Sequence, residues 1–181
     1  MNRPTAPDIT SRLADGTAVG SWVLEPEGSS AEFRSKHFWG ALTVRGTLKL
    51  LGGEITVGAD GAVTGRVRFD ARSVDTGHEK RDEHLRSSDF FEADESPEAV
   101  LTVTSALPVS PDGLGCRGSF EAAGISRPVT FTATIQDVTE LAVVLTAELV
   151  VDRSEFGMTW SPMRMSSMKA VGTVKARFTR A

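Results

Sequence analysis

The sequence predicts an all-β domain, and three observations carry that reading. Apolar and polar residues alternate with a period of two along four separate stretches. Short Gly- and Asp-containing turn signals separate the stretches, and a single segment reads as a helix. A period of two places every apolar side chain of a strand on one face, whereas a helix would scatter the same residues around its axis. Many strands with one apolar face must stack as a sandwich or close as a barrel, and periodicity alone leaves both open.

The first residues, MNRPTAPDITSRLADGTAVG, are polar and contain no apolar run of the kind that directs secretion. The expectation is a disordered extension over 1–18, a folded domain over 19–181, and a cytoplasmic chain. Weaker strand patterns occupy 20–25 and 29–37. In 42–50, Leu42, Val44, Gly46, Leu48 and Leu50 oppose Thr43, Arg45, Thr47 and Lys49. Gly52-Gly53 and Asp60-Gly61 suit tight hairpins. In 63–70, Val63, Gly65, Val67 and Phe69 oppose Thr64, Arg66, Arg68 and Asp70.

The helix is expected around 77–87, in DTGHEKRDEHLRSS. Thr76 followed by Glu79 reads as a capping box, Asp82 and Arg86 as an i,i+4 pair, and Leu85 is its one large apolar residue. So polar a helix lies on a surface. Phe90-Phe91 then bury against the sheet. Further strands are expected at 99–106, 115–123 and 140–151, with Asp112-Gly113 and Gly124 as turns. Two regular alternations remain, Val129, Phe131, Ala133 and Ile135 in 129–136, and Gly172, Val174, Ala176 and Phe178 in 172–179. Residues 160–170 have neither period and read as a long loop. Eight or nine strands joined by short connections are antiparallel neighbours.

Composition narrows the function. A chain of 181 residues is one domain, and 40% apolar content suffices for a core. With 20 Lys and Arg against 24 Asp and Glu, the net charge of −4 argues against nucleic acid as a partner. A single cysteine, Cys116, excludes an intrachain disulfide and a Cys-rich zinc site, and reads as a small packed side chain. No stretch reaches the ~18 apolar residues of a membrane span.

Three histidines, His37, His78 and His84, are too dispersed for a metal site, since six residues put His78 and His84 on opposite sides of their helix. Neither a metal nor another cofactor is expected. Arg81, Asp82 and His84 could form an acid–base group, or an ion-pair knot that anchors the helix. No Gly-x-Ser-x-Gly elbow, P-loop or dinucleotide fingerprint is present. Met158, Met163, Met165 and Met168 fall within eleven residues, close to Phe156 and Trp160. Such a cluster suits a surface that receives a pliable apolar guest; gap-filling in a core is the other reading.

Several segments resemble the YceI family of polyisoprenoid-binding, lipocalin-like proteins. They are Gly20-Ser21-Trp22 with Ser29-Ser30-Ala31-Glu32-Phe33, Val44-Arg45-Gly46-Thr47, and Arg72-Ser73-Val74-Asp75-Thr76. The run from Arg81-Asp82-Glu83-His84-Leu85 to Phe90-Phe91, Gly124-Ile125-Ser126-Arg127-Pro128-Val129, and Asp152-Arg153-Ser154-Glu155-Phe156-Gly157 complete the set. The resemblance covers about 20–180. It implies an eight-stranded antiparallel β-barrel of extended lipocalin type, an apolar lumen holding an isoprenoid or fatty amphiphile, and a homodimer.

Beside the resemblance, an eight-stranded barrel leaves room for its own side chains or one small guest. Gly46, Gly65, Ala133, Gly172 and Ala176 on predicted apolar faces would trim the interior into a tunnel. The expected lumen lining is Phe33, Phe38, Trp39, Val44, Leu48, Val67, Phe69, Phe120, Phe131, Phe156, Met158 and Trp160, with Leu85, Phe90 and Phe91 covering one rim. The function read from these residues is carriage or sequestration of a long apolar chain, without catalysis. An enzyme using His84, Asp82 or His37 in the same cavity, and a ligand-free interaction module, are the alternatives.

Overall fold

Pairing among the strands decides between sandwich and barrel. The computed structural model describes residues 9–181. Strand β3 (Leu42–Val57) and the last strand, β9 (Ser166–Arg180), flank two short strands, β1 (Gly20–Leu24) and β2 (Ser30–His37). Trp22 of β1 pairs with Ile55 and Arg180, and Ala31 of β2 pairs with Leu48 and Val174. The two short strands, separated by a 3-10 turn at Pro26–Gly28, are therefore halves of one stave. From β3 the chain meanders antiparallel through β4 (Val63–Asp75), β5 (Glu98–Ser110), β6 (Gly113–Ala122), β7 (Ile125–Val138) and β8 (Ala142–Asp152) into β9. Among the described residues nine strands thus close an eight-stave barrel with no free edge.

The alternation predicted for β3 holds up to Leu50 and then changes phase. Gly52-Gly53 is no hairpin: β3 continues to Val57, and the register to β4 shifts between Leu50 and Gly52. Gly52, at φ +154°, absorbs this bulge, so Leu50 is buried on one side of it and Val57 on the other. A Cβ on Gly53 would meet the Arg66 carbonyl oxygen at 2.6 Å, so the β4 backbone comes too close for a larger residue. The turns at Asp60-Gly61, at Asp112 before Gly113, and at Ala123-Gly124 lie between strands. Ala123 and Gly124 both have positive φ, the geometry that matches a hairpin's twist.

The expected extension over 1–18 is corrected from residue 9 onward; residues 1–8 lie outside the described residues. A short helix α1 (Ile9–Ala14) lies across one end of the barrel, hereafter the base, with Ile9 and Ala18 buried. The Ile9 amide donates to the Pro111 carbonyl at 3.0 Å, and Trp22 Nε1 donates to the Ala18 carbonyl at 3.0 Å. Arg180 stacks on Trp22 at 4.6 Å and donates to the Thr17 and Val19 carbonyls. Within 9–18, Ile9, Leu13 and Ala18 pack against the barrel core, a contribution the polar average of the segment conceals.

Helix α2 (Glu79–Arg86) lies at the opposite end, the mouth. The expected capping box is absent. The N-cap is His78, whose Nδ1 accepts from the Arg81 amide, because Gly77 at φ +73° turns the chain before the helix begins. Thr76 instead donates its amide and hydroxyl to Asp82 Oδ1 at 2.9 and 2.5 Å, and its hydroxyl accepts from Arg81 Nε at 2.7 Å. Asp82 is buried in this knot rather than paired with Arg86, which donates to the Val74 carbonyl at 3.4 Å. The loop expected over 160–170 ends earlier, since β9 begins at Ser166.

Candidate functional site: an apolar lumen open at the mouth

The mouth half of the barrel holds a cavity of about 220 Å³. Every second residue of β2 faces it, from Ala31 and Phe33 to Ser35 and His37. On the adjoining staves, Ala170, Gly172 and Val174 of β9 and Ala147, Leu149 and Val151 of β8 do the same. Below the cavity Ala133, Ala176 and Phe178 are buried, and beneath α1 there remains a void of only about 60 Å³. An engineered apolar cavity of about 150 Å³ takes one benzene. On that scale 220 Å³ holds about nine carbons, just under two isoprene units.

Among the residues expected to line the lumen, Phe33, Val44, Leu48, Phe69, Phe120 and Phe131 do so. Phe156, Met158 and Trp160 line it from the segment after β8, and Leu85, Phe90 and Phe91 from α2 and the chain following it. Phe120 and Phe156 meet edge to face at 5.7 Å. Three expected residues stand elsewhere. Phe38 and Trp39 form a 3-10 turn with φ of 51° and 54°, which ends the alternation of β2 and leaves them 50% and 79% exposed on the rim. Val67 packs into the core, where its Cγ2 fills the space beside Gly53.

The trimming residues also need correction. The place of a Cβ at Gly46 is taken by the Phe33 ring, and at Gly65 it would press on Glu54 and Ile55. Ala133 and Ala176 belong to the core below the cavity. Gly172 alone of the five opens space, with its nearest would-be contacts at 3.9 Å. The rest of the width comes from Ala31, Ala122, Ala147 and Ala170. Alanines in ambiguous stretches carry no phase of their own; only the phases of β2, β6, β8 and β9 taken together point to them.

The lining residues with polar side chains are Ser35, His37, Arg81, His84 and Arg153, beside Glu32, which is exposed. Arg153, in a 3-10 turn at Arg153–Phe156, is 7% exposed. Its Nε donates to the Ser167 carbonyl at 2.8 Å and its Nη1 to the Met158 carbonyl at 2.5 Å, which ties the segment after β8 to the start of β9. Its Nη2 finds no acceptor among the described residues. Burial lowers the Arg153 pKa, partly opposed by Asp152. His37 Nδ1 lies 2.9 Å from Ser166 Oγ, and its pKa is lowered first by burial and then by Arg153 and Arg81.

His84 also lines the cavity. It packs edge-on against Phe90 at 5.2 Å and Trp160 at 4.5 Å, with Nε2 2.8 Å from Asp89 Oδ2. The acid–base trio considered from the sequence therefore does not converge. Asp82 is engaged by Thr76, His84 by Asp89, and His37 by a serine. His78 is exposed on the far side of α2, and no group of three or more potential ligand residues gathers among those described. Cys116 is buried and donates to the Leu114 carbonyl, and burial raises its pKa.

A chain folded as a meandering eight-stave barrel has counterparts. The family model of the YceI-like domain matches residues 22–179, nearly every stave. The chain belongs to the YceI-like family. Protein YceI of Escherichia coli O17:K52:H18 is 34% identical over 125 residues, which span 66% of this chain and 64% of that protein. A UPF0312 protein of Vibrio campbellii is 26% identical over 69% of this chain and 68% of its own. Among solved structures, Burkholderia cenocepacia BcnA superposes with a TM-score of 0.76 at 16% identity, over 85% of this chain and 98% of its own. A polyisoprenoid binding domain from Saccharophagus degradans gives 0.72 at 15% identity, over 88% and 98%. At such identities these two structures establish the YceI-like fold, which the present chain shares.

Proposed function

We propose that this YceI-like chain sequesters or carries an amphiphile, an isoprenoid or fatty chain, with the apolar tail in the lumen and the polar head at the mouth. The observation that carries this is the distribution of chemistry in the cavity. Its deep wall is Phe69, Leu101, Phe131 and alanine, whereas His37, Arg81 and Arg153 stand toward the rim. Likeness to the polyisoprenoid binding domain supports an isoprenoid as the tail. About nine buried carbons are worth about 7 kcal/mol gross at ~0.8 kcal/mol each, before the cost of ordering the guest. That suffices for retention without a catalytic constellation. A chain longer than about two isoprene units leaves the cavity between Phe90 and Trp160, or widens the lumen by displacing those rings.

The test is extraction of the purified protein with organic solvent, followed by mass spectrometry and by titration with a fluorescent fatty-acid probe. A long-chain species near one per chain, lost in Phe131→Asp while circular dichroism stays that of the wild type, supports the reading. A folded Phe131→Asp protein that retains the same species at the same ratio overturns it.

A further inference from the structure

The mouth is bordered by apolar side chains that no part of the barrel covers. Trp39 is 79% exposed and Met163 80%, with Phe38, Leu42 and Trp160 also exposed beside them. They sit on two adjoining turns. The Trp39 amide donates to the Met165 carbonyl at 3.4 Å, and His37 pairs with Ser166. Both turns hold large residues in the left-handed region: Phe38 and Trp39 in one, Met163 and Arg164 in the other, with φ between 50° and 55°. Bulky residues adopt that conformation at a cost in energy, which here goes into holding apolar tips away from the barrel.

Charge follows the same lip. In a chain of net charge −4, residues 33–53 and 156–181 contain no carboxylate side chain. Lys36, near the end of β2, and Arg164, on the second turn, are exposed and form no ion pair among the described residues. On the α2 side of the mouth Glu79, Glu83 and Asp89 are exposed beside one exposed cation, Lys80. Indole and thioether tips flanked by cations, beside the opening of a lipid-sized lumen, match the chemistry of a bilayer interface.

We infer that the lip formed by the Phe38–Gly40 and Pro162–Arg164 turns docks on an anionic lipid bilayer, inserting Trp39 and Met163 among the headgroups. The acidic α2 side then tilts away from the surface, and the mouth faces the acyl region. Exchange of a guest with the bilayer rests on the lumen reading above; docking itself does not.

Two vesicle preparations test this, phosphatidylcholine alone and phosphatidylcholine mixed with phosphatidylglycerol. The full chain is expected to sediment with the mixed vesicles more than with the neutral ones, with a blue shift in tryptophan emission. Trp39→Ser with Met163→Ser should weaken partitioning roughly tenfold for each tip removed. Lys36→Gln with Arg164→Gln should cost about fivefold per charge on the anionic vesicles alone. A lumen variant, Phe131→Asp or Gly172→Leu, should still dock, so failure of the lumen reading and failure of docking give different results. The inference is overturned if the wild type stays in solution with both vesicles, or if the Trp39 and Met163 variant sediments like the wild type. It is equally overturned if Trp39→Ser abolishes a concentration-dependent dimer while vesicles recruit nothing, which would assign the lip to a second copy of the chain.

Discussion

Replacing Gly172 by Leu should close the lumen while leaving the barrel intact. A Cβ at this position has as its nearest neighbours the carbonyl oxygens of Glu32 and Leu149, both at 3.9 Å, an ordinary contact distance. Its φ lies outside the left-handed region, so a larger side chain fits the backbone without strain. At about 25 Å³ per carbon, the scale set by benzene in its cavity, four added carbons take about 100 Å³. That is close to half of the 220 Å³ available. The guest then loses about four methylenes of burial, about 3 kcal/mol, which is roughly a hundredfold in affinity. Stability should hold or rise slightly, since a glycine in a strand interior costs about 0.5–1 kcal/mol. Titration with the fluorescent probe and a thermal melt measure the two effects separately. A Gly172→Leu protein with an unchanged melt that binds the probe within threefold of the wild type would refute the lumen as the site. Gly118→Ala is the contrasting case: its Cβ would overlap the Thr102 carbonyl oxygen, so it should break the β5–β6 pairing and unfold the barrel whatever the ligand.

Other outcomes follow from the mouth. Arg153→Ala removes two charge-assisted bonds to buried carbonyls and should cost about 3 kcal/mol or more, a melting shift of about 6–12 °C by calorimetry. Asp82→Ala frees Thr76 and should cost about 1–3 kcal/mol in urea unfolding, with early hydrogen exchange confined to α2. His37 is held below its ordinary 6.5 by burial and by Arg153 and Arg81, so between that pH and its lowered native value the unfolded chain binds the extra proton. Stability should therefore fall as pH drops below 6.5, and His37→Gln should flatten that slope in urea midpoints measured against pH.

The site was partly legible for the same reason as the strands. Phe69 and Phe131 sit in clean alternations and Phe33 in a weaker strand pattern, and a period of two says which face each takes. Phe38 and Trp39 directly follow such a run, and nothing in their types reveals that two successive positive φ angles carry them out of it. Arg153 stood in a motif but gave no sign of burial, because its acceptors are carbonyls of Met158 and Ser167, whose approach depends on how two turns pack. The α2 cap shows the same limit: Thr76 and Glu79 have capping-box spacing, yet Asp82 competes for the hydroxyl.

By itself the sequence determined that eight or nine antiparallel strands build the chain, the inward faces of the regularly alternating ones, the polar helix between β4 and β5 and the absence of a long apolar helix, because each of these is written in neighbours a few residues apart. Tertiary structure alone decided that the sheet closes, that β1 and β2 share a stave, that α1 seals the base, and where the lumen is empty. Gly46 and Gly172 are indistinguishable as letters in an alternating run. The space beside the first is filled by Phe33 and beside the second left open, because a void depends on side chains that arrive from distant strands at the same level of the barrel.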